Sequence, residues 1–130
     1  MKLRIARHTN DLEKIRVFYT TILNLKVVGS FENHDSYDGL FLGNSNFDWH
    51  LEFTKTNETV SFNFNEDDLL VFYPESTVEY ENIINNITKN NIVILTSKNP
   101  YWNKNGKMIE DPDGYKIVIS NLKTESINKI

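Results

Sequence analysis

One order of elements runs through this chain twice, and few folds can hold it. Each half opens with a strand-like stretch, continues into a capped amphipathic helix and ends in further strand-like stretches. In the first half, "LRIARH" alternates, with Leu3 and Ile5 on one side and Arg4, Ala6 and His8 on the other. Asn10 followed by Glu13 is a capping-box spacing, with Asp11 placed in the first turn. Leu12, Ile15, Phe18, Tyr19, Ile22 and Leu23 then recur at helical spacing, and Asn24 suits the terminator. "LKVVGSFE", "YDGLFLG" and "FDWHLEFTK" follow as strands separated by turn residues. The second half repeats this: "DLLVFYPE" as a strand, "TVEYENIINNITKN" as a helix with Val78, Ile83, Ile84 and Ile87 inward, then "IVIL" as a strand. "NPYWNKNGKMIE" supplies a loop and a further strand, and "YKIVISNL" the last one. Between the halves, Val60, Phe62 and Phe64 alternate, consistent with an extended connector lying against the sheet.

The expectation is one α+β domain over residues 1–130, built of two βαβββ modules that form a curved mixed β-sheet with a concave cavity. Module one covers about 1–55, module two about 66–121, and 122–130 is a tail. Each module presents one apolar sheet face, so the two are expected to pair and bury those faces. The turn "DPDG" is the best-specified local feature. Asp111 suits its first position, Pro112 presets φ at the second, and Asp113 and Gly114 complete it, so it should join the last two strands as a hairpin.

Composition narrows the function classes. The hydrophobic fraction of 39%, with eight Phe, six Tyr and two Trp, is enough for a core. Charges of both signs are mixed around a net −4, with no basic block, which argues against nucleic acid as a partner. No run is apolar and long enough to span a bilayer, and "MKLRIARHTND" lacks a signal core, so a cytoplasmic location without membrane association is expected. Cys is absent, which removes disulfides, thiol nucleophiles and thiolate metal sites.

Two polar groups in "DWHLEFT" stand out. His50 and Glu52 are two apart in a strand and therefore share a face. They read either as part of a site or as satisfied strand residues. His8 lies on the Arg4 face, four residues along. In "NPYWNKNG", Tyr101 and Trp102 read either as an aromatic wall over a cavity, with Asn99 or Asn103 as polar contacts, or as packing that plugs the sheet. Phe41, Trp49, Phe53, Phe72 and Tyr73 line the same space or fill the core. His34, Tyr37 and Asp38 read better as hairpin residues than as a ligand rim. No Ser/His/Asp arrangement, phosphate-cradling loop or helical His pair is present in the sequence.

The repeated module ending in "DPDGYKIVI" resembles the vicinal oxygen chelate superfamily of glyoxalase I, bleomycin-resistance proteins and extradiol dioxygenases. Within it, "LRIARHTNDLEKIRVFY", "SFENHDSYDG", "HLEFT" and "NPYWNKNG" are similar to a small YycE-like bacterial subgroup. The resemblance implies four metal-ligand positions, which fall here on Arg4, Glu52, about Leu70 and Val118. Only Glu52 of these can donate to a metal, since guanidinium and aliphatic side chains offer no lone pair. No metal and no cofactor is therefore expected, and Arg4 is expected to pair with Glu52, partly buried. What the resemblance implies is a protein that binds a small organic molecule in the concave sheet, as a homodimer. The expected ligand-binding residues are Arg4, His8, His50, Glu52, Tyr101 and Trp102, with no catalytic residue assigned. The rival is an atypical lyase, isomerase or dioxygenase with a displaced site around His50 and Glu52, Arg4 then holding an anionic substrate group.

Overall fold

The expected first module is found element for element. The computed structural model describes residues 1–122 and divides at Ser61/Phe62 into two compact units. In the first lie β1 (Leu3–His8), α1 (Leu12–Thr21), β2 (Lys26–His34), β3 (Tyr37–Gly43) and β4 (Trp49–Lys55). Their sheet order is β1-β4-β3-β2, with β1 parallel to β4 and the other pairs antiparallel. A parallel neighbour for β1 follows from the connection, because the helix returns the chain across the sheet.

The helix stripe packs where its spacing says. Ile15, Phe18, Tyr19, Ile22 and Leu23 are buried, as are Leu40, Leu42, Leu51 and Phe53 from the sheet. The Tyr19 ring stands 5.1 Å from Phe53, and the Arg7 guanidinium lies 5.2 Å from the centre of the Phe53 ring. Burying side chains of this size contributes about 1.5–3 kcal/mol each. The cap differs from expectation. Asp11, not Asn10, is the N-cap, and its carboxylate accepts from Lys14 N–H at 3.0 Å. The Asn10 amide instead donates to Val60 O (2.8 Å) and accepts from Val60 N–H (2.9 Å). That two-sided clamp fixes the end of the connector, which forms no strand. Asn24 sits at φ 57, the left-handed conformation that suits a helix terminator. At the β2–β3 hairpin the turn is made by Asp35 (φ 52) and Ser36 (φ 71), and Asp38 accepts from Asn33 N–H at 2.9 Å. Asp38 is thus a hairpin partner.

The second unit contains β5 (Leu69–Phe72), α2 (Thr77–Lys89), α3 (Pro100–Asn105), β6 (Gly106–Glu110) and β7 (Lys116–Ser120). The order is β5-β7-β6, β5 parallel to β7 and β6 antiparallel to it. Its expected strand "IVIL" reduces to one bridge, Leu95 to Met108. The chain is turned away just beyond, where the Asn103 amide clamps Ser97, accepting from its N–H (2.7 Å) and donating to its carbonyl (3.0 Å). Val93 and Ile94 consequently stay exposed. The expected loop at Tyr101 and Trp102 is the short helix α3, started by Asn99 with Pro100 at its first position. On α2, Ile83 and Ile87 are buried, but Val78 is exposed. At 100° per residue Val78 falls off the stripe through Tyr80, Ile83, Ile84 and Ile87.

The "DPDG" hairpin joins β6 and β7 as expected. Asp111 is buried, and its carboxylate accepts from the N–H groups of Asp113 (2.9 Å) and Tyr115 (3.0 Å). Gly114 adopts φ 86, a conformation that L side chains rarely take. The tail lies outside the described residues beyond Leu122.

Candidate functional site

Strand alternation gives the first unit's sheet a second face, opposite the one that carries the α1 core. Register decides which side chains meet there. Arg4 lies across from His50, Ala6 from Glu52 and His8 from Thr54 on the parallel pair. Glu52 in turn faces Phe41, and Thr54 faces Gly39. On the outer strand Gly29 faces Phe41, and Phe31 faces Gly39. Each aromatic therefore leans over a glycine. A Cβ at Gly29 would stand 3.1 Å from the Phe41 ring, and one at Gly39 would collide with the Phe31 ring at 2.1 Å.

Arg4 Nε donates to His50 Nε2 at 2.8 Å. His50 Nε2 is the acceptor in this contact, so its lone pair is already engaged. The Arg4 guanidinium carbon lies 4.6 Å from the centre of the Phe41 ring, and the Phe41 and His50 rings meet edge to face at 5.6 Å. Phe31 continues the aromatic row 5.9 Å from Phe41. At the other end His8 Nδ1 is 2.8 Å from Thr54 Oγ1, with the Tyr37 ring at 6.2 Å. Arg4 is exposed, while Phe41, His50, Glu52 and Thr54 are half-buried.

The expected Arg4–Glu52 pair is not formed. The parallel register sets Arg4 on the His50 rung and places Glu52 one rung further, opposite Ala6. Among the described residues the Glu52 carboxylate makes no hydrogen bond or ion pair, and Arg4 makes no polar side-chain contact other than that with His50. Four of the residues singled out in the sequence thus share one face: Arg4, His8, His50 and Glu52. Phe41, Phe31 and Thr54 belong to it as well. Their alternation with the buried residues Leu40, Leu42, Leu51 and Phe53 was the signal for them.

Tyr101 and Trp102 belong to the second unit. Their rings meet edge to face at 4.8 Å on α3, and both are half-buried. Asn99 and Asn103 are occupied structurally: Asn99 caps α3 by accepting from Tyr101 N–H (3.1 Å), and Asn103 holds Ser97. Burial, and secondarily the neighbouring Tyr101, raises the Tyr73 hydroxyl above the ordinary phenol range. This unit also carries a recess of about 220 Å³ lined by Glu66, Leu95, Thr96, Lys98, Met108, Glu110 and Lys116, with Glu110 and Lys116 ion-paired to each other.

The donor set does not fit the metal that the superfamily commonly holds. Arg4 offers no lone pair, Leu70 and Val118 are aliphatic, and His50 Nε2 already accepts from Arg4. Among the described residues no three His, Asp or Glu side chains converge where an ion could be held.

Two successive units, each a mixed sheet with helices, match the glyoxalase/bleomycin-resistance fold. Solved structures of that class superpose on nearly the whole chain. A trypanothione-dependent glyoxalase I from Leishmania major aligns with a TM-score of 0.74 at 21% identity, covering 99% of this chain and 90% of that one. The fosfomycin resistance protein FosX from Mesorhizobium loti aligns at 0.70 and 9%, covering 100% and 98%. At these identities the likeness is one of fold. The chain belongs to the YycE-like family: residues 3–54 match its N-terminal domain and residues 67–121 its C-terminal domain. It is 41% identical over 123 residues to the uncharacterized protein YycE of Bacillus subtilis (strain 168), covering 94% of this chain and 88% of that one. The crystal structure of a YycE protein of unknown function from Bacillus subtilis, provisionally a glyoxalase/fosfomycin resistance protein, aligns with a TM-score of 0.80 at 40% identity, covering 94% and 90%. No helix among the described residues is long and apolar enough to cross a membrane.

Proposed function

We propose that this YycE-like protein binds a small organic molecule on the polar and aromatic sheet face of its first unit, without a metal. One observation carries the reading: Arg4 is exposed yet held in place, by His50 at Nε and by the Phe41 ring beneath. A guanidinium oriented in this way keeps its two Nη groups available for an acceptor on a ligand. His8, Thr54 and Tyr37 supply hydrogen-bonding groups at the other end of the face, and Phe41 and Phe31 an apolar wall. The protein acts as a cytoplasmic homodimer in this reading, with a mass in solution twice that of one chain by light scattering. The experiment is a screen of small organic acids and amines by amide chemical-shift changes. Binding is expected to move the signals of β1 and β4 and to be lost in Arg4→Met. A hit confined to other surfaces, or no hit, overturns the proposal.

A second reading rests on a specific feature, the unpartnered Glu52 carboxylate two residues from His50. It makes the face a lyase, isomerase or dioxygenase site with His50 and Glu52 moving protons. Chemical conversion of a bound hit, lost in Glu52→Gln with binding retained, selects that reading over simple binding.

A further inference from the structure

The face of the first unit carries two opposite charges that do not satisfy each other. Arg4 gives Nε to His50 and, among the described residues, nothing to any carboxylate. Glu52 is half-buried on the next rung, between Ala6 and Phe41, and has no hydrogen-bonding partner among the described residues. A carboxylate partly withdrawn from water without a partner is unfavourable, so a ligand that supplies a cation there gains from it. Ala6 across from it is small and leaves space above the sheet. Neighbouring strands lie about 4.8 Å apart and two residues advance about 6.7 Å, so the Arg4 and Glu52 backbones are about 8 Å apart. Long side chains can meet across such a diagonal, but Arg4 is turned to His50 instead, so the two charges share the face without meeting and a molecule carrying both opposite charges can bridge them.

From this placement, and resting on the binding role proposed above, we infer that the ligand is amphoteric: its anionic group sits on the Arg4 Nη atoms and its ammonium on Glu52. An α-amino acid, whose charges are about 3 Å apart, brings both groups within reach of these two long side chains, with one hydrogen bond of about 2.9 Å at each. The Phe41 and Phe31 rings then receive an apolar or aromatic side chain, and the faces of these rings also favour a nearby cation. A ligand with only the acid would leave Glu52 unpaired and add negative charge close to it. A ligand with only the amine would leave the guanidinium unused and bring a second cation near it.

Three probes with one carbon skeleton separate these cases: phenylalanine, hydrocinnamate, which lacks the ammonium, and phenethylamine, which lacks the carboxylate. Affinities are read from amide chemical shifts of the full chain at millimolar probe. Phenylalanine is expected to bind at least tenfold more tightly than either of the others. Glu52→Gln should erase its advantage over hydrocinnamate, and Arg4→Met its advantage over phenethylamine. Circular dichroism confirms that each variant is folded, and Arg4→Lys provides a milder change that keeps the charge but not the fork. If hydrocinnamate or phenethylamine binds as tightly as phenylalanine at this face, the amphoteric ligand is wrong while the binding role stands. If none of the three binds, the inference also falls, and the broader screen alone then decides the binding role.

Discussion

Arg4 shows how one rung of register changes what a side chain does. It shares a face with both His50 and Glu52, and it meets the one directly across the parallel pair. The contact is exposed, so its worth is modest: Arg4→Met and His50→Ala should each cost under about 1 kcal/mol, with a coupling of about 0.5 kcal/mol in a double-mutant cycle. Arg4→Met and Glu52→Gln should instead add without coupling, as measured by urea unfolding. A coupling between Arg4 and Glu52 as large as that with His50 would contradict the register. Asn10 makes a larger contribution than its position suggests. Asn10→Ala removes the partners of both Val60 backbone groups and should cost about 1–3 kcal/mol. Hydrogen exchange at Val60 should quicken by an amount that tracks the loss, and unchanged protection there would show that the clamp is unimportant.

At the level of elements, close approach and capping control the strands and helices. Gly106 is fully extended, with φ 176, so its need for glycine is not conformational. A Cβ there would stand 2.6 Å from the Ile119 carbonyl oxygen and 2.9 Å from Val118 Cγ1. Because the obstacle is backbone, β6 cannot yield without losing its pairing, and Gly106→Ala should cost about 1–3 kcal/mol or more. Stability equal to that of the parent in thermal unfolding would refute that argument. On α1, the Arg16 guanidinium hydrogen-bonds the Glu13 carboxylate and holds it below the usual carboxylate range. A carboxyl whose folded pKa is depressed contributes stability above its unfolded pKa and loses it as the pH falls through the folded one. Arg16→Gln should therefore raise the Glu13 titration measured by NMR and reduce the acid loss of stability. Glu13 is fully exposed, so the effect on overall stability is small.

Across the whole molecule, the repeated order of elements and the family match describe the same organisation, two matched segments at residues 3–54 and 67–121. The second unit departs from the first at the "IVIL" stretch, where the Ser97–Asn103 clamp ends the pairing after Leu95, and in the short helix α3 that follows. That clamp joins residues six apart through an asparagine that reads as a loop polar group in sequence, and nothing in the apolar run itself announces it. The same holds for Asn10, where a good capping pattern concealed a partner fifty residues away. The donor set has a consequence for the entire protein. Addition of zinc, manganese or nickel, or of a chelator, should move the unfolding temperature by less than about 1 °C. A rise of several degrees with one of these ions, lost in Glu52→Gln, would restore a metal to this fold.

Much of the chain could be read without coordinates, because its signals are local. A 3.6-residue stripe, a two-residue alternation and a turn such as "DPDG" each act within one element, so the two longer helices, most strands and the shared face of Arg4, His8, His50 and Glu52 were legible, while the short α3 was not. Folding settled the choice of partner. The β1–β4 register aligns residues 46 apart, and a shift by one rung moves every cross-strand neighbour while leaving local preferences untouched. Arg4 is joined to His50, and Glu52 left without a partner among the described residues, by that long-range alignment.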